Sequence, residues 1–195
     1  MQILVTGSSG FIGSALIPFL TSSRHRVKRL VRSPSAGSAG TVRWDPAAGV
    51  MDATGLEGID AVVHLAGESV VGRWTAKKKA HILGSRVKGT RLLCSTLATL
   101  TQPPKVIVCA SAIGYYGDRG DEILQEESAS GSGFLAEVCR QWEAAAQPAV
   151  QRGIRVVHLR IGVVLSPTGG ALAKMLPPFQ LGVGGPMGHG RQFWS

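Results

Sequence analysis

A chain of 195 residues, 44% hydrophobic and 17% charged, is long enough to enclose one sizeable core, too short for two ordinary domains and too apolar to stay disordered. No run of eighteen apolar residues occurs and the first apolar run starts at Ile3, so neither a membrane span nor a leader is expected, and the cytoplasm is the expected compartment. The formal charge of +9 comes from scattered bases with a single run, Lys77-Lys78-Lys79, which reads as a solvated helix face. No nucleic-acid module is recognisable, so part of the excess is expected to attract a small anionic ligand, with no nucleic-acid or membrane partner.

Three cysteines, Cys94, Cys109 and Cys139, are odd in number, widely spaced and set in apolar stretches, which predicts reduced core thiols and no metal site.

The chain opens on an apolar run, Ile3-Leu4-Val5, followed by Thr6-Gly7-Ser8-Ser9-Gly10-Phe11-Ile12-Gly13 and then a helical periodicity over about 13–22. Strand, glycine turn and helix in that order predict a dinucleotide cradle. Gly7 permits the turn, Gly10 the approach of a pyrophosphate and Gly13 close helix packing, while the free amides of the helix start face the anion. Gly7, Ser8, Ser9, Gly10, Phe11, Ile12 and Gly13 are therefore candidate cofactor-binding residues. A second strand is predicted over about 27–31. It ends at Arg32-Ser33, nineteen positions past Gly13, with no Asp or Glu between Thr21 and Gly40. A base at this place accommodates the 2′-phosphate of NADP, where an acid would hold the ribose of NAD, so Arg32 and Ser33 point to NADP.

Pro34 to Gly40 is turn-rich, and Val42-Arg43-Trp44 predicts a short third strand closed by Asp45-Pro46, an adenine-facing position or a plain turn. Ala61-Val62-Val63-His64-Leu65-Ala66-Gly67 reads as a buried strand whose small end lets a dinucleotide approach, adding Leu65, Ala66, Gly67 and Glu68 to the cofactor candidates. His64 reads as a core histidine. One long helix is predicted over 74–100, with Ile82, Val87, Leu92, Leu93 and Leu97 inward. The next buried strand, Val106 to Ala110, runs into Ser111-Ala112-Ile113-Gly114-Tyr115-Tyr116-Gly117. Ligands of open parallel sheets bind beyond the carboxyl ends of the strands, so Ser111, Tyr115 and Tyr116 are the catalytic candidates. An acidic loop over 118–127, a helix over 133–152 and a strand over 155–160 complete six strands. The alternation predicts an α/β, Rossmann-type, doubly wound parallel sheet with helices on both faces.

The motifs Thr6-Gly7-x-x-Gly10-x-x-Gly13, Asp60 to Gly67 and Ser111-x-x-x-x-Tyr116-Gly117 together resemble the extended short-chain dehydrogenases/reductases. Gly67-Glu68, Arg73-Trp74, Ser85-Arg86, Gly114 to Gly117, Trp142 to Ala145, Leu159-Arg160-x-Gly162-x-Val164-Leu165 and Met175-Leu176-x-Pro178-Phe179 resemble its atypical NAD-dependent epimerase/dehydratase-like branch of epimerase family proteins. The resemblance implies a Ser or Thr after the strand that carries Ser111, and a Tyr-x-x-x-Lys pair on the next helix, as acid/base and its cationic partner. Ser111 meets the first expectation. The helix offers Phe134 and Val138, or Leu135 and Cys139, in place of the pair, and Arg86 stands where the pattern has Asn. Tyr115 or Tyr116 is then the replacement acid, with Arg86, Arg140 or Arg160 as the cation beside it.

Two functions are expected from this pattern. One is an NADP-dependent oxidoreductase or epimerase acting on a small polar or nucleotide-linked substrate; the other is a cofactor-binding regulatory or interaction protein without turnover, related by resemblance to division proteins. The resemblance also implies a further strand and a substrate domain after this point. Residues 1–165 are expected to form the cofactor domain and 166–195 the start of an incomplete substrate region, whose uncovered Leu176, Phe179, Leu181, Phe193 and Trp194 would favour a homodimer.

Overall fold

The computed structural model of the chain describes residues 1–33, 40–186, 188 and 190. Seven strands form one sheet: β1 (Gln2–Thr6), β2 (Arg26–Val31), β3 (Thr41–Asp45), β4 (Val50–Met51), β5 (Ala61–His64), β6 (Val106–Ala112) and β7 (Arg155–Ile161), in the order β4-β3-β2-β1-β5-β6-β7. All neighbours are parallel except β3 and β4. The chain winds outward from β1 in both directions, so the switch of direction lies between β1 and β5, where doubly wound sheets open a ligand crevice beyond the strand ends.

Period-2 burial divides the sheet into two unequal faces. Leu4, Leu30, Val62, Ile107 and Cys109 point to one side, where Leu93, Cys94 and Leu97 of α2 (Ala76–Ala98) and Ala149 of α4 (Gln147–Gln151) close the main core. Ile3 and Val5 point to the other, against Ile17 and Leu20 of α1 (Phe11–Ser22). Burying such side chains contributes roughly 1.5–3 kcal/mol each before entropy is counted. The second face is thinly covered beyond α1: Val106, Val108 and Val157 are only half-buried and Leu159 is 44% exposed.

Several sequence expectations are corrected. A short antiparallel strand, β4, joins β3 through a turn at Pro46–Gly49, with Gly49 at φ +69°. Asp45 Oδ1 accepts from the amides of Ala47 and Ala48 at 2.9 and 3.1 Å, so its carboxylate serves that turn. The helix expected over 133–152 is two, α3 (Phe134–Ala144) and α4, because Pro148 has no amide to continue the first ladder and sits instead in the opening turn of the second. Trp74 stands before α2, whose N-cap is Thr75, its hydroxyl accepting from Lys78 N at 3.2 Å. Beyond β7, β8 (Leu165–Ser166) makes a tight hairpin with Gly169 and Gly170, and α5 (Gly170–Gln180) follows with no buried residue. The expected turn over 34–39 and the apolar residues Phe193 and Trp194 lie outside the described residues.

All three cysteines are buried and free. Burial pushes the Cys94 thiol up to about 12 and that of Cys109 higher still. Among the described residues no cluster of His, Cys, Asp and Glu could hold a metal, and no helix is long and apolar enough to cross a membrane.

Candidate active site

The glycine turn is built as its spacing predicts. Gly7 has φ +67°, and a Cβ there would lie 2.8 Å from the Leu65 carbonyl carbon, so the turn folds tightly over the end of β5. A Cβ on Gly13 would lie 2.2 Å from the Gly7 carbonyl oxygen, which is how α1 comes down on the turn. Gly10 is the N-cap of α1; it has no capping side chain, and no acid occupies the first turn. The free amides and positive dipole end of α1 thus stay available to an anion. Phe11 and Ile12 are exposed at this end, at 39% and 37%, as are Ser9 and Gly10, while Ser8 is half-buried.

Thr6, absent from the candidate residues, holds the two halves of the crevice together. Its buried Oγ1 accepts from the amides of Leu65 and Ala66, both at 3.1 Å, and lies 2.7 Å from His64 Nδ1. With both lone pairs engaged, the hydroxyl donates to Nδ1; Nε2 then carries the ring proton and donates to Thr90 Oγ1 at 2.9 Å. His64 is the core histidine expected, fully buried and with its pKa lowered by desolvation to about 4. The visible signal was a hydroxyl residue directly before the first glycine.

After β5, Gly67 is pressed by Arg86, whose guanidinium carbon would lie 3.3 Å from a Cβ. Arg86 donates to the carbonyls of Glu68 at 2.9 Å and Ile82 at 3.1 Å and stacks over Trp142 at 4.9 Å, so α2 secures the crevice edge. Glu68 pairs with Lys78 at 2.6 Å; that hydrogen bond and charge hold its carboxyl below the usual range, with Arg32 and His81 adding to the effect. The Lys77-Lys78-Lys79 face is therefore only partly a solvated one: Lys78 serves Glu68, and Lys79 lies 5.2 Å from the Phe134 ring centre. Arg32 and Ser33 are exposed beyond the end of β2.

The second half of the site comes from sheet register. β6 and β7 pair Ser111 with Arg160, placing both on the face covered by α3. Glu143, near the end of α3, lies between them. Ser111 Oγ donates to Glu143 Oε1 at 2.6 Å, Arg160 Nε donates to the same oxygen at 3.1 Å, and Arg160 Nη2 donates to Oε2 at 3.1 Å. Arg160 Nη1 donates to the Tyr116 hydroxyl at 2.9 Å and to the Glu126 carbonyl at 2.8 Å. The Tyr115 ring lies against the guanidinium, 3.5 Å from its carbon, and edge-on to Tyr116 at 5.3 Å.

Burial opposes ionisation of Glu143, but the hydrogen bonds from Arg160 and Ser111 and the Arg160 charge outweigh it and hold its carboxyl below the usual range. The Glu143 hydrogen bond in turn raises Arg160 further above neutrality.

Ser111 and Tyr116 are thus both buried, at 3% and 9% exposure, with their hydroxyls engaged by the Glu143–Arg160 pair. Tyr115 is more exposed, and no described residue bonds its hydroxyl. Of the three cations considered beside the tyrosines, Arg160 is the one in place; Arg86 belongs to the crevice edge and Arg140 pairs with Glu137 and the Gly131 carbonyl. The positions read against Tyr-x-x-x-Lys are packing residues: Phe134 meets Trp74 edge-on at 5.4 Å, Leu135 covers Gly114, Val138 is buried and Cys139 Sγ points at the Ala112 carbonyl at 3.7 Å.

A family model described as the NAD dependent epimerase/dehydratase family matches residues 3–180. The chain belongs to this family. It is 42% identical over 194 residues to epimerase family protein Mb2239 of Mycobacterium bovis, covering 99% of this chain and 64% of that one. Among solved structures it is similar to the nucleoside-diphosphate sugar epimerase from Corynebacterium glutamicum, with a TM-score of 0.86, 42% identity and coverage of 100% of this chain and 40% of that one. It is also similar to human epimerase family protein SDR39U1 (isoform 2) with NADPH, with a TM-score of 0.87, 39% identity and coverage of 100% and 64%. The chain shares the Rossmann-like fold of these structures, and it spans 64% of the length of the curated relative first described.

Proposed function

We propose that the chain carries the NADP(H) site and proton-handling groups of an oxidoreductase or epimerase acting on a small polar substrate, of which nucleoside-diphosphate sugars are the leading class. The observation that carries this reading is the Ser111–Glu143–Arg160–Tyr116 network, at the same carboxyl ends of the strands as the glycine cradle. A linked set of ionised and hydroxyl groups at a sheet's ligand-binding edge is suited to holding a reacting oxygen and moving its proton.

The residues present fit a dinucleotide: the Gly7 and Gly13 positions leave no room for a Cβ, and the α1 amides have no capping side chain. Gly7 to Gly13 would hold the pyrophosphate, Leu65 to Glu68 would line the crevice, and exposed Arg32 and Ser33 would take the 2′-phosphate. The NADPH in the human relative's structure supports the same preference. The bound nicotinamide would give or take hydride; Ser111, Tyr115 and Tyr116 would bond the reacting oxygen. Three buried, free thiols are in keeping with a reducing compartment such as the cytoplasm.

The test follows nicotinamide absorbance with NADP(H) and a panel of carbonyl compounds, UDP-glucose and UDP-glucuronic acid, together with chromatography of the UDP-sugars for new epimers, since epimerisation leaves the cofactor's redox state unchanged. Substrate-dependent change, reduced about tenfold by Tyr115→Phe through loss of one hydrogen bond, supports the reading. NADPH binding with no turnover on any member overturns it in favour of a cofactor-binding regulatory protein, a reading to which the missing Tyr-x-x-x-Lys pair lends support.

A further inference from the structure

We infer that Glu143 is the terminal proton acceptor of the reaction, acting through Ser111, on a chain whose helix carries no Tyr-x-x-x-Lys pair. The inference rests on the function proposed above and deepens it by naming the group that receives the substrate's proton.

Hydrogen-bond direction carries it. Glu143 is ionised and can only accept, so the proton of Ser111 points along the 2.6 Å bond to Oε1. What Ser111 can offer a reacting oxygen is therefore a lone pair, and the partner it suits is the hydroxyl of an alcohol. Tyr116 is differently placed, because its oxygen accepts from Arg160. The groups facing Glu143 come from several elements: Ser111 from β6, Arg160 and His158 from β7, and Cys139 from its own helix. His158 is kept neutral by burial, with its Nδ1 unbonded, so Arg160 is the permanent charge beside the carboxylate.

In the oxidative direction the substrate O–H proton passes to Ser111 Oγ as the serine's own proton passes to Glu143 Oε1. The C–H hydride leaves to oxidised nicotinamide, and an alcohol becomes a carbonyl. Glu143 becomes a neutral acid, still bonded to Arg160, and in reduction the same proton returns by the same route. Glu143 is thus a positioning and proton-storing residue; Ser111 is the one that meets substrate.

Glu143→Gln keeps one acceptor oxygen for Ser111 and Arg160 Nε, gives up the acceptor for Arg160 Nη2, and cannot take a proton. With NADP+ and whichever panel alcohol the wild type oxidises or epimerises, we expect kcat to fall about 100-fold or more with KM little changed, the usual weight of a positioned acid or base. NADPH affinity and thermal unfolding, measured on the same preparations, report whether the variant is folded. The Ser111→Ala/Glu143→Gln double variant falls no further than the worse single one, because both belong to one route. The acidic limb of kcat lies below the ordinary glutamate range in the wild type, and Glu143→Asp restores part of the rate with a displaced limb. A folded, NADPH-binding Glu143→Gln protein with near-normal kcat, or single losses that multiply in the double variant, overturns the inference and leaves the proposed function standing. A wild type that neither oxidises nor epimerises any panel member overturns the function itself and the inference with it.

Discussion

At the scale of single residues, the site depends on a few atoms with no room to move. Gly13 is one. A methyl group there would meet the Gly7 carbonyl oxygen at 2.2 Å, a backbone atom that cannot swing aside, so α1 and the turn must separate. Gly13→Ala is expected to lower stability by about 1–3 kcal/mol, as overpacking generally does, and to weaken NADPH binding at least tenfold; chemical denaturation and fluorescence titration measure the two. His64 is another. Its pKa falls from 6.5 to about 4 on burial, so the unfolded chain binds more protons in that interval. The stability due to neutral His64 is fully present above pH 6.5 and is lost as pH falls toward 4, by about 3 kcal/mol in all. Urea unfolding across this window should show the loss, and His64→Gln should flatten it. The histidine was legible as a core residue from its apolar strand, but its bonds to Thr6 and Thr90 were not, because those lie 58 and 26 positions away.

At the scale of elements, the ends are the least economical parts. α1 is followed by Arg24 at φ +60°, the one described non-glycine residue with positive φ, in a left-handed position that glycine occupies without a Cβ clash. Arg24→Gly should therefore stabilise the protein by about 0.5–1 kcal/mol, the relief of left-handed strain less the entropy glycine adds to the unfolded chain. The midpoint of urea unfolding would rise if this is so, and an unchanged or lower midpoint would refute it. Most helices and strands with strong periodicity were readable to within a residue or two, as with 27–31 read for Arg26–Val31, whereas the strand read over Ala61–Gly67 stops at His64. The break between α3 and α4 was announced by Pro148 and missed because the apolar pattern runs across it. β4 has two residues, too few for any period.

At the scale of the whole molecule, the sheet is covered well on one face and thinly on the other. Leu159, Leu165, Phe179, Leu181 and Val183 are 44%, 56%, 58%, 77% and 74% exposed. Such a concentration of apolar side chains near the β7 edge and after it favours self-association. Light scattering over a concentration series should give a rising mass for this 195-residue chain, and the double substitution Phe179→Asp/Leu181→Asp should reduce it. A strictly monomeric chain at all concentrations would count against this.

The glycine turn was written largely locally, because strand, turn and helix follow one another within Gln2–Ser22 and Gly10 and Gly13 answer the Gly7 carbonyl oxygen, while the close approach of Gly7 to Leu65 needed the packed sheet. The alternation of strands and helices likewise determined the Rossmann-type architecture, since right-handed crossovers leave few alternatives. Ser111, Tyr115 and Tyr116 could be named as candidates from their place at a strand end. That Glu143 joins Ser111 to Arg160 could not, since it requires β6 and β7 to pair in one register and α3 to lie over that row. Hydrogen-bond direction among residues 17 to 44 positions apart is a property of packed layers, and no pattern along the chain encodes it.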